Sequence, residues 1–576
     1  MNLRSIHGVI EQGVLPRGVA GLLLLFCLLQ GFAPAAAAQP DPDRAPSFLI
    51  ILADDLGFSD AGAFGGEIST PHLDRLAREG LRLTGLRTSP TCSPTRAMLL
   101  TGTDHHLAGL ANMAELITPE QRDQPGYEGH LNDRVVTIAE LLQQAGYFTV
   151  MSGKWHLGRA ASENPAARGF ERSFALLEAG HNHFGRPNLP PPSLGGVHYT
   201  EDGQPVALPE GFYSSDYFAE RLIDLLEDEA GRDRPFFAYL PFTAPHWPLQ
   251  APAEVIERYR GKYDQGWEKV RQQRLARQRE LGILPEQAAV DAPTTLLSWE
   301  DLEPEEQRDQ ARKMEIYAAM VERMDWNIGR VLAYLEQRGR LDHTVVVFLS
   351  DNGAAPDTLT GLADKVPDMP AIEEGSREEW GGVDSMLTYG AQWAQVGTTP
   401  RRLYKSVITE GGLVSPTILR YPGFARQQGE VGSAFATVMD LAPTLLEMAG
   451  VEHPAREGEP SSPKPARQLE PMRGASMLPY LQRHSERIHP ASRAFGWELF
   501  GQRALHQGDW KIAWVSQPNG SGRWELYHLG EDPGERVDLA DRHLERMAAM
   551  RQLWEQYAQE MGIVLVEQPI SPYTEY

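Results

Sequence analysis

Cys92 stands in Thr91-Cys92-Ser93-Pro94-Thr95-Arg96 and is one of two cysteines in 576 residues. The other, Cys27, lies in an N-terminal apolar stretch that reads as removable, which leaves Cys92 without a partner for an intramolecular disulfide. Pro94 suits the first turn of a helix running on through Met98, Leu99 and Leu100. The free N–H groups and positive end of that helix favour an anion beside residue 92, with Arg96 one turn on. A thiol there is either a buried helix-start residue or a nucleophile, with His156 or His246 as the base that would activate it.

The other chemistry-bearing residues follow apolar runs. Asp54-Asp55 comes after the first run, Ser152-Gly153-Lys154-Trp155-His156 after the second, Pro245-His246-Trp247 after the third, and Asp351-Asn352-Gly353 after the fourth. Ligands bind outside the carboxyl ends of strands in open α/β sheets, so four such groups at one rim predict a site. Asp54, Asp55, Asp351 and Asn352 offer hard oxygen ligands, which suit Ca²⁺ or Mg²⁺ rather than Zn²⁺.

The runs that must position these groups are Phe48–Ala53, Tyr147–Met151, Pro235–Leu240 and Thr344–Leu349, apolar throughout as in strands buried on both faces. Helical patterns separate them. One starts with Thr70 as cap and Pro71 in its first turn, and carries Leu73, Leu76 and Ala77 on one face. The alternation predicts an α/β domain around a largely parallel sheet over 45–453. A charged helical insertion is expected at about 253–312, with the Arg/Gln-rich run at 268–280 as a solvated face, and 356–400 reads as a loop on a cleft rim. After a Pro/Glu/Ser-rich link, residues 472–576 predict a small α+β domain: a hairpin from Trp510–Val515 and Trp524–Leu529, then a helix near 541–561.

Composition, with 41% hydrophobic and 23% charged residues, is that of a globular protein. Gly18–Phe32 is leucine-rich, preceded by Arg4 and Arg17 and followed by Ala35-Ala36-Ala37-Ala38, the pattern of a signal peptide (1–38) cleaved after Ala38. The run is short for a span of about 20 apolar residues, so no stable membrane insertion is expected after cleavage. Export to the periplasm or the medium is the expectation. Losing Arg4, Arg17 and Glu11 moves the net charge from −24 to −25, which argues against nucleic acid as a partner. An anionic substrate would need a local positive site.

Cys92-Ser93-Pro94-Thr95-Arg96 with Leu100-Thr101-Gly102 resembles the signature of the type I sulfatases, whose cysteine is oxidised to Cα-formylglycine. Ala53-Asp54-Asp55-Leu56-Gly57, Gly153-Lys154-Trp155-His156-Leu157-Gly158 and Ser350-Asp351-Asn352-Gly353 resemble further motifs of that family. The resemblance is to bacterial arylsulfatases in particular, through Thr101–His106 and Tyr404–Gly412. It implies an alkaline-phosphatase-like sandwich with a smaller C-terminal domain built on an antiparallel sheet. It also implies a metal, Ca²⁺ with Mg²⁺ as the alternative, held by Asp54, Asp55, Asp351, Asn352 and the modified Cys92.

By the same resemblance, residue 92 becomes a hydrated aldehyde, one oxygen of which attacks sulfur; the second hydroxyl later expels sulfate. Lys154 and Lys405 would meet the sulfate oxygens, His246 would donate to the leaving oxygen, and His156 and Arg96 would hold the diol. The implied substrate is a small sulfate ester, aryl before others, with Trp155, Trp247 and Trp393 as candidate pocket walls. The implied partner is a formylglycine-generating maturation enzyme. A phosphate or phosphonate monoester hydrolase of the same superfamily is the alternative, and a binding protein on an inactive sulfatase fold is a third reading.

Overall fold

In the computed structural model, residues 45–186, 196–229, 234–288, 290, 297–358, 374–455 and 469–566 are described. The expected signal peptide, with Cys27, lies outside them. The four apolar runs are central strands: β1 (Ser47–Ala53), then, after the short strand β2 (Leu81–Leu83), β3 (Phe148–Lys154), with β4 (Arg172–Leu176), β5 (Tyr199–Glu201) and β6 (Gln204–Pro205) beside it, then β7 (Phe236–Pro241) and β8 (Thr344–Ser350). With β9 (Thr417–Arg420) and β10 (Glu430–Gly432) they form one ten-stranded sheet in the order β10-β2-β9-β8-β1-β7-β3-β4-β5-β6. From β8 to β4 every pairing is parallel. Ile50 of β1 lies between Tyr239 and Val347, and both faces of the strand are buried, which is why the run is apolar without alternation. The flanks β9 and β5–β6 run antiparallel to their neighbours.

Helix α1 (Pro71–Glu79) buries Leu73, Leu76 and Ala77 as the pattern predicts, but Thr70 makes no cap hydrogen bond to it. Thr70 Oγ1 accepts from the Gly62 N–H and donates to Asp74. The first N–H groups of α1 are taken instead by Asp325, which accepts from His72 at 3.1 Å and Leu73 at 2.8 Å. Asp325 belongs to a 34-residue helix, Pro304–Gln337, so the expected end of the insertion at 312 falls inside a helix that packs on the main layer.

The expected solvated face at 268–280 forms on one side, where Lys269, Gln272, Gln273, Arg277 and Glu280 are exposed, but the rest of the charged run is not solvated. In the helix Trp267–Glu280, Arg271, Arg274 and Gln278 are buried. Arg274 pairs with Asp60 at 2.5 Å and Glu67 at 2.8 Å, and these carboxylates cancel its charge where water cannot. Within 356–400, read as loop, Gly390–Gly397 is helical.

The C-terminal hairpin forms as predicted within a four-stranded antiparallel sheet: β11 (Ala494–Leu499), β12 (Gln502–Gln507), β13 (Trp510–Trp514) and β14 (Trp524–His528). Helix Leu544–Met561 covers it, burying Met550 and Trp554 against Leu505, Ile512 and Leu526. Gly496 permits this close approach, since a Cβ there would sit 2.1 Å from the Tyr557 ring. The described residues, from Ala45 to Val566, form one compact unit.

Tyr557 also ties that helix to the segment after Cys92's helix. Its hydroxyl donates to Asp104 at 2.8 Å, Asp104 pairs with His106 Nδ1 at 2.8 Å, and His106 Nε2 donates to Glu498 of β11 at 3.3 Å. His105 and Tyr127 pack against the His106 ring. Burial opposes charge on His106, yet the two carboxylates overcome it and push its pKa up to about 9. Because the folded value exceeds the unfolded one of about 6.5, the stabilisation is complete below pH 6.5 and disappears as pH rises through 9. The His106→Gln variant should therefore be less stable than the parent by on the order of 3 kcal/mol at pH 6, and the gap should close by pH 10. Thermal melting of both proteins across that range checks it; a gap independent of pH would exclude a charged His106.

Candidate active site

Parallel strands deliver their ends to one edge, and the predicted groups meet there. Asp54 and Asp55 follow β1, Lys154 is the last residue of β3, His246 follows β7, and Asp351 and Asn352 follow β8. Cys92 opens the helix Cys92–Thr101, whose ten residues are all buried. Lys405 arrives on the loop before the short helix Glu410–Leu413. Two backbone features fix these deliveries. Gly153 has φ 141°, and a Cβ there would lie 1.9 Å from the Pro241 carbonyl oxygen, so only glycine can precede Lys154. Asp55, at φ 69°, holds a left-handed conformation that is costly for a residue with a Cβ and is found at functional sites.

Three carboxylates and three cations interlock. Lys154 Nζ donates to both oxygens of Asp54 at 3.0 and 2.7 Å. Lys405 Nζ donates to Asp55 Oδ2 at 2.8 Å. Arg96 donates through Nε and Nη2 to Asp351 Oδ2 at 3.0 and 2.7 Å, and through Nη1 to the Lys154 carbonyl at 3.0 Å. The carboxylates do not share this charge evenly. Burial raises the pKa of Asp55, but Lys405, His246 and Lys154 outweigh it and bring it down to about 2. Burial and the neighbouring Asp54 raise Asp351 to about 6 against the pull of Arg96 and Lys154.

The oxygens also fit a hard cation. Ligand atoms of Asp54, Asp55, Cys92 and Asp351 lie within 4.8 Å of one another. Asn352 donates through Nδ2 to Asp55 Oδ1 at 2.6 Å, while its buried Oδ1 has no partner among the described residues. An amide oxygen left bare beside three carboxylates is the donor set that Ca²⁺ or Mg²⁺ takes. The second His/carboxylate group, Asp104, His105 and His106, is different: both His106 nitrogens and His105 Nδ1 already have partners.

Cys92 is 2% exposed, and its Sγ has Asp55 Oδ1 at 3.9 Å as hydrogen-bond acceptor. Burial pushes the thiol pKa well up; Lys154 and Lys405 lower it, while Asp351 and Asp54 add to the rise. Neither histidine is bonded to the sulfur as a base. His246 Nε2 lies 3.6 Å from Asp55 Oδ2, and its Nδ1 is 2.5 Å from the Trp247 carbonyl. His156 Nε2 is held by Glu115 at 3.0 Å, beside a cavity of about 200 Å³ that Ser93 also lines.

Glu115 is the residue that sequence reasoning missed here. It is a single carboxylate in the one-turn 3-10 helix Ala114–Leu116, with no spacing signal to connect it to His156. Of the proposed pocket tryptophans, Trp155 and Trp393 are fully buried: Trp155 donates to the Glu163 carbonyl and Trp393 packs on Trp267 and Trp299. Trp247 alone adjoins the site, stacked on His246 with ring centroids 5.3 Å apart.

Titrating Ca²⁺ or Mg²⁺ into the purified protein should raise its melting temperature, by the equivalent of about 2.7 kcal/mol at a hundredfold excess over Kd. Asn352→Leu should weaken that binding at least about tenfold in calorimetry, as expected for losing one oxygen ligand. A wild-type protein indifferent to both ions would show that the oxygens hold no cation.

A family model described as Sulfatase matches residues 46–451, a span that contains every residue of the cluster from Asp54 to Lys405. An uncharacterised sulfatase of Schizosaccharomyces pombe is 45% identical over 536 residues, covering 90% of this chain and 95% of its own. An arylsulfatase of Klebsiella aerogenes is 39% identical over 421 residues, covering 73% of this chain and 89% of its own. Among solved structures, a sulfatase from Pseudoalteromonas sp. superposes with a TM-score of 0.59 at 21% identity, over 90% of this chain and 91% of that one, a likeness of fold. The parallel sheet, the separate antiparallel sheet and these neighbours define an alkaline-phosphatase-like fold. Since the matched span includes the whole constellation at the strand ends, the chain belongs to the sulfatase family, hydrolases of sulfate esters.

Proposed function

We propose that the protein hydrolyses sulfate monoesters, aryl sulfates among them, with Cys92 converted to Cα-formylglycine and Ca²⁺ held by Asp54, Asp55, Asp351, Asn352 and residue 92. The observation that carries this reading is the setting of Cys92. Its sulfur is buried among three carboxylates and three cations and has no histidine to make it a thiolate nucleophile. A hydrated aldehyde needs no such base. A cation at the oxygens would supply Lewis-acid polarisation of the sulfate and make an adjacent hydroxyl more acidic.

In the proposed reaction Lys154 and Lys405 bind the sulfate oxygens and take up the negative charge that grows as sulfur is attacked. One hydroxyl of the hydrate gives its proton to Asp351 and forms the new O–S bond as the S–O bond to the alcohol breaks, the alcohol leaving with a proton from His246. Trp247's carbonyl accepts from Nδ1, so Nε2 of the neutral ring is bare. Burial lowers the pKa of His246 to about 3, against the pull of Asp55, and the ring must gain its second proton when the anionic substrate enters. The remaining hydroxyl then loses its proton to a site base, the C–O bond to sulfate breaks, and the aldehyde returns. Arg96 fixes Asp351 throughout, and Glu115 holds His156 in orientation.

Cys92 is too buried for a modifying enzyme once the chain has folded, so the maturation enzyme acts before closure, ahead of or during the export that the N-terminus implies. In the tryptic peptide Thr88–Arg96 of protein from its native host, mass spectrometry should find the aldehyde in place of the thiol. The same protein should turn over 4-nitrophenyl sulfate faster than 4-nitrophenyl phosphate, and Cys92→Ala should abolish both activities. Preference for the phosphate by orders of magnitude would instead establish the phosphate or phosphonate reading. Glu115→Gln should lower kcat about tenfold and alter its pH profile while KM stays within about threefold, the pattern of a residue that orients a catalytic group. A change confined to KM would assign Glu115 to substrate binding.

A further inference from the structure

Five residues beyond the Asp351-Asn352 pair, Asp357 is fully buried with no assigned task. Neither of its carboxylate oxygens has a hydrogen-bond partner of good geometry among the described residues. Burial raises its pKa to about 7 against the pull of Lys405, with Asp55 adding to the rise and the Trp247 side chain and the residue's own N–H as weak donors beside it. A buried carboxylate left in this way is unfavourable unless it takes a proton or something outside the chain completes it.

The space beside it says what kind of group that is. Asp357 lines a cavity of about 10 Å³ together with Asp55, Pro245, Trp247, Tyr317 and Tyr389. That volume suits one water-sized group, such as a hydroxyl or an ammonium. Two of the walls are aromatic, Tyr317 and Tyr389 stacked at 4.4 Å, and the Asp55 carboxylate and the Thr388 side chain complete the polar lining. Asp55 is shared with the reaction centre, where it receives Cys92 and Lys405. Trp247 is shared with His246, the proposed donor to the leaving oxygen. The cavity therefore lies on the side of the site where the alcohol departs.

We infer that Asp357 determines specificity for the leaving group, accepting a hydrogen bond from an N–H or O–H donor that the alcohol or phenol carries close to its ester oxygen. This rests on the sulfatase reading and deepens it: the preferred esters carry a hydroxyl or amino substituent beside the sulfate. A site built to receive a donor rejects the analogue that lacks one, because the carboxylate is then left unpaired.

The test uses phenyl sulfates bearing an aminomethyl, hydroxymethyl or ethyl group at each ring position, assayed with the mature wild-type enzyme and with Asp357→Asn and Asp357→Leu. At one ring position the wild type should favour a donor-bearing ester over the ethyl ester by at least about tenfold in kcat/KM. A larger gain for aminomethyl identifies an amine as the donor, and a larger gain for hydroxymethyl identifies an alcohol. The readout in both variants is the ratio of kcat/KM for the donor-bearing ester to that for the ethyl ester, and Asp357→Leu should bring that ratio to about one. Matched melting temperatures would show that the variants are folded. The inference is overturned if the wild type shows no donor preference at any position, or if the variants lose all esters equally. If the wild type hydrolyses none of the sulfates, the sulfatase reading falls and this inference with it.

Discussion

Charge neutrality at the ends of four parallel strands is the constraint on which the rest of this structure depends. Asp54, Asp55 and Asp351 are within 1% of complete burial, and carboxylates so placed cannot stay ionised alone. Each is matched to a cation from a distant part of the chain: Lys154 from β3, Lys405 from a late loop, Arg96 from the helix that carries Cys92. Removing one cation leaves an uncompensated buried charge, which costs about 3–5 kcal/mol, far more than a surface pair. The sheet must therefore hold its strand ends in fixed register. The parallel pairings of β1 with β7 and β8 do so over five and seven residues.

Lys405 is not on the sheet, and its placement explains the buried attachment of the C-terminal strands. Gln502 of β12 donates to the Ser406 carbonyl at 2.7 Å and accepts from the Ile408 N–H at 3.3 Å. Glu410, at the end of the same loop, accepts from Arg87 at 2.7 Å and from Lys511 of β13 at 3.0 Å. Arg87 lies five residues before Cys92. One carboxylate thus ties the segment leading to residue 92, the loop carrying Lys405 and the antiparallel sheet. Arg87 and Lys511 hold its pKa well below the usual carboxylate range despite burial. The C-terminal sheet acts as the outer clamp of the site.

The sequence displayed the parts of this arrangement that rest on local pattern. Apolar runs without alternation mark strands covered on both faces, and the polar residues that end them mark the rim, so β1, β3, β7 and β8 and their terminal groups were readable. The flanking strands were not. Thr417–Arg420 and Arg172–Leu176 are short and mix polar with apolar residues, and their strand state comes from neighbours already in the sheet. Burial of Arg274 was equally hidden, because its partners Asp60 and Glu67 lie more than 200 residues away in the chain. Thr70 read as a cap because threonine before proline usually caps; Asp325, from another helix, won the N–H groups. Glu115 and Asp357 carry no signal beyond being single acidic residues.

The setting of Cys92 bears on why the proposed chemistry needs a hydrate rather than a thiol or a serine. Either of those would accept the sulfuryl group once and stop, since the resulting ester has no internal group to expel sulfate. A hydrate keeps a second hydroxyl on the same carbon, and loss of its proton breaks the C–O bond to sulfate without an attacking water. Water is then needed only to rehydrate the aldehyde between turnovers, not to attack the sulfated intermediate. The hydrate route suits the charge pattern. Lys154 and Lys405 are each held by a carboxylate, so in the proposed reaction the positive charge that would meet sulfate is oriented before the substrate arrives and would need little reorganisation as the transition state forms. The same burial that makes the thiol hard to ionise also closes it off from a modifying enzyme, so the proposed aldehyde route requires residue 92 to be converted before the fold closes over it.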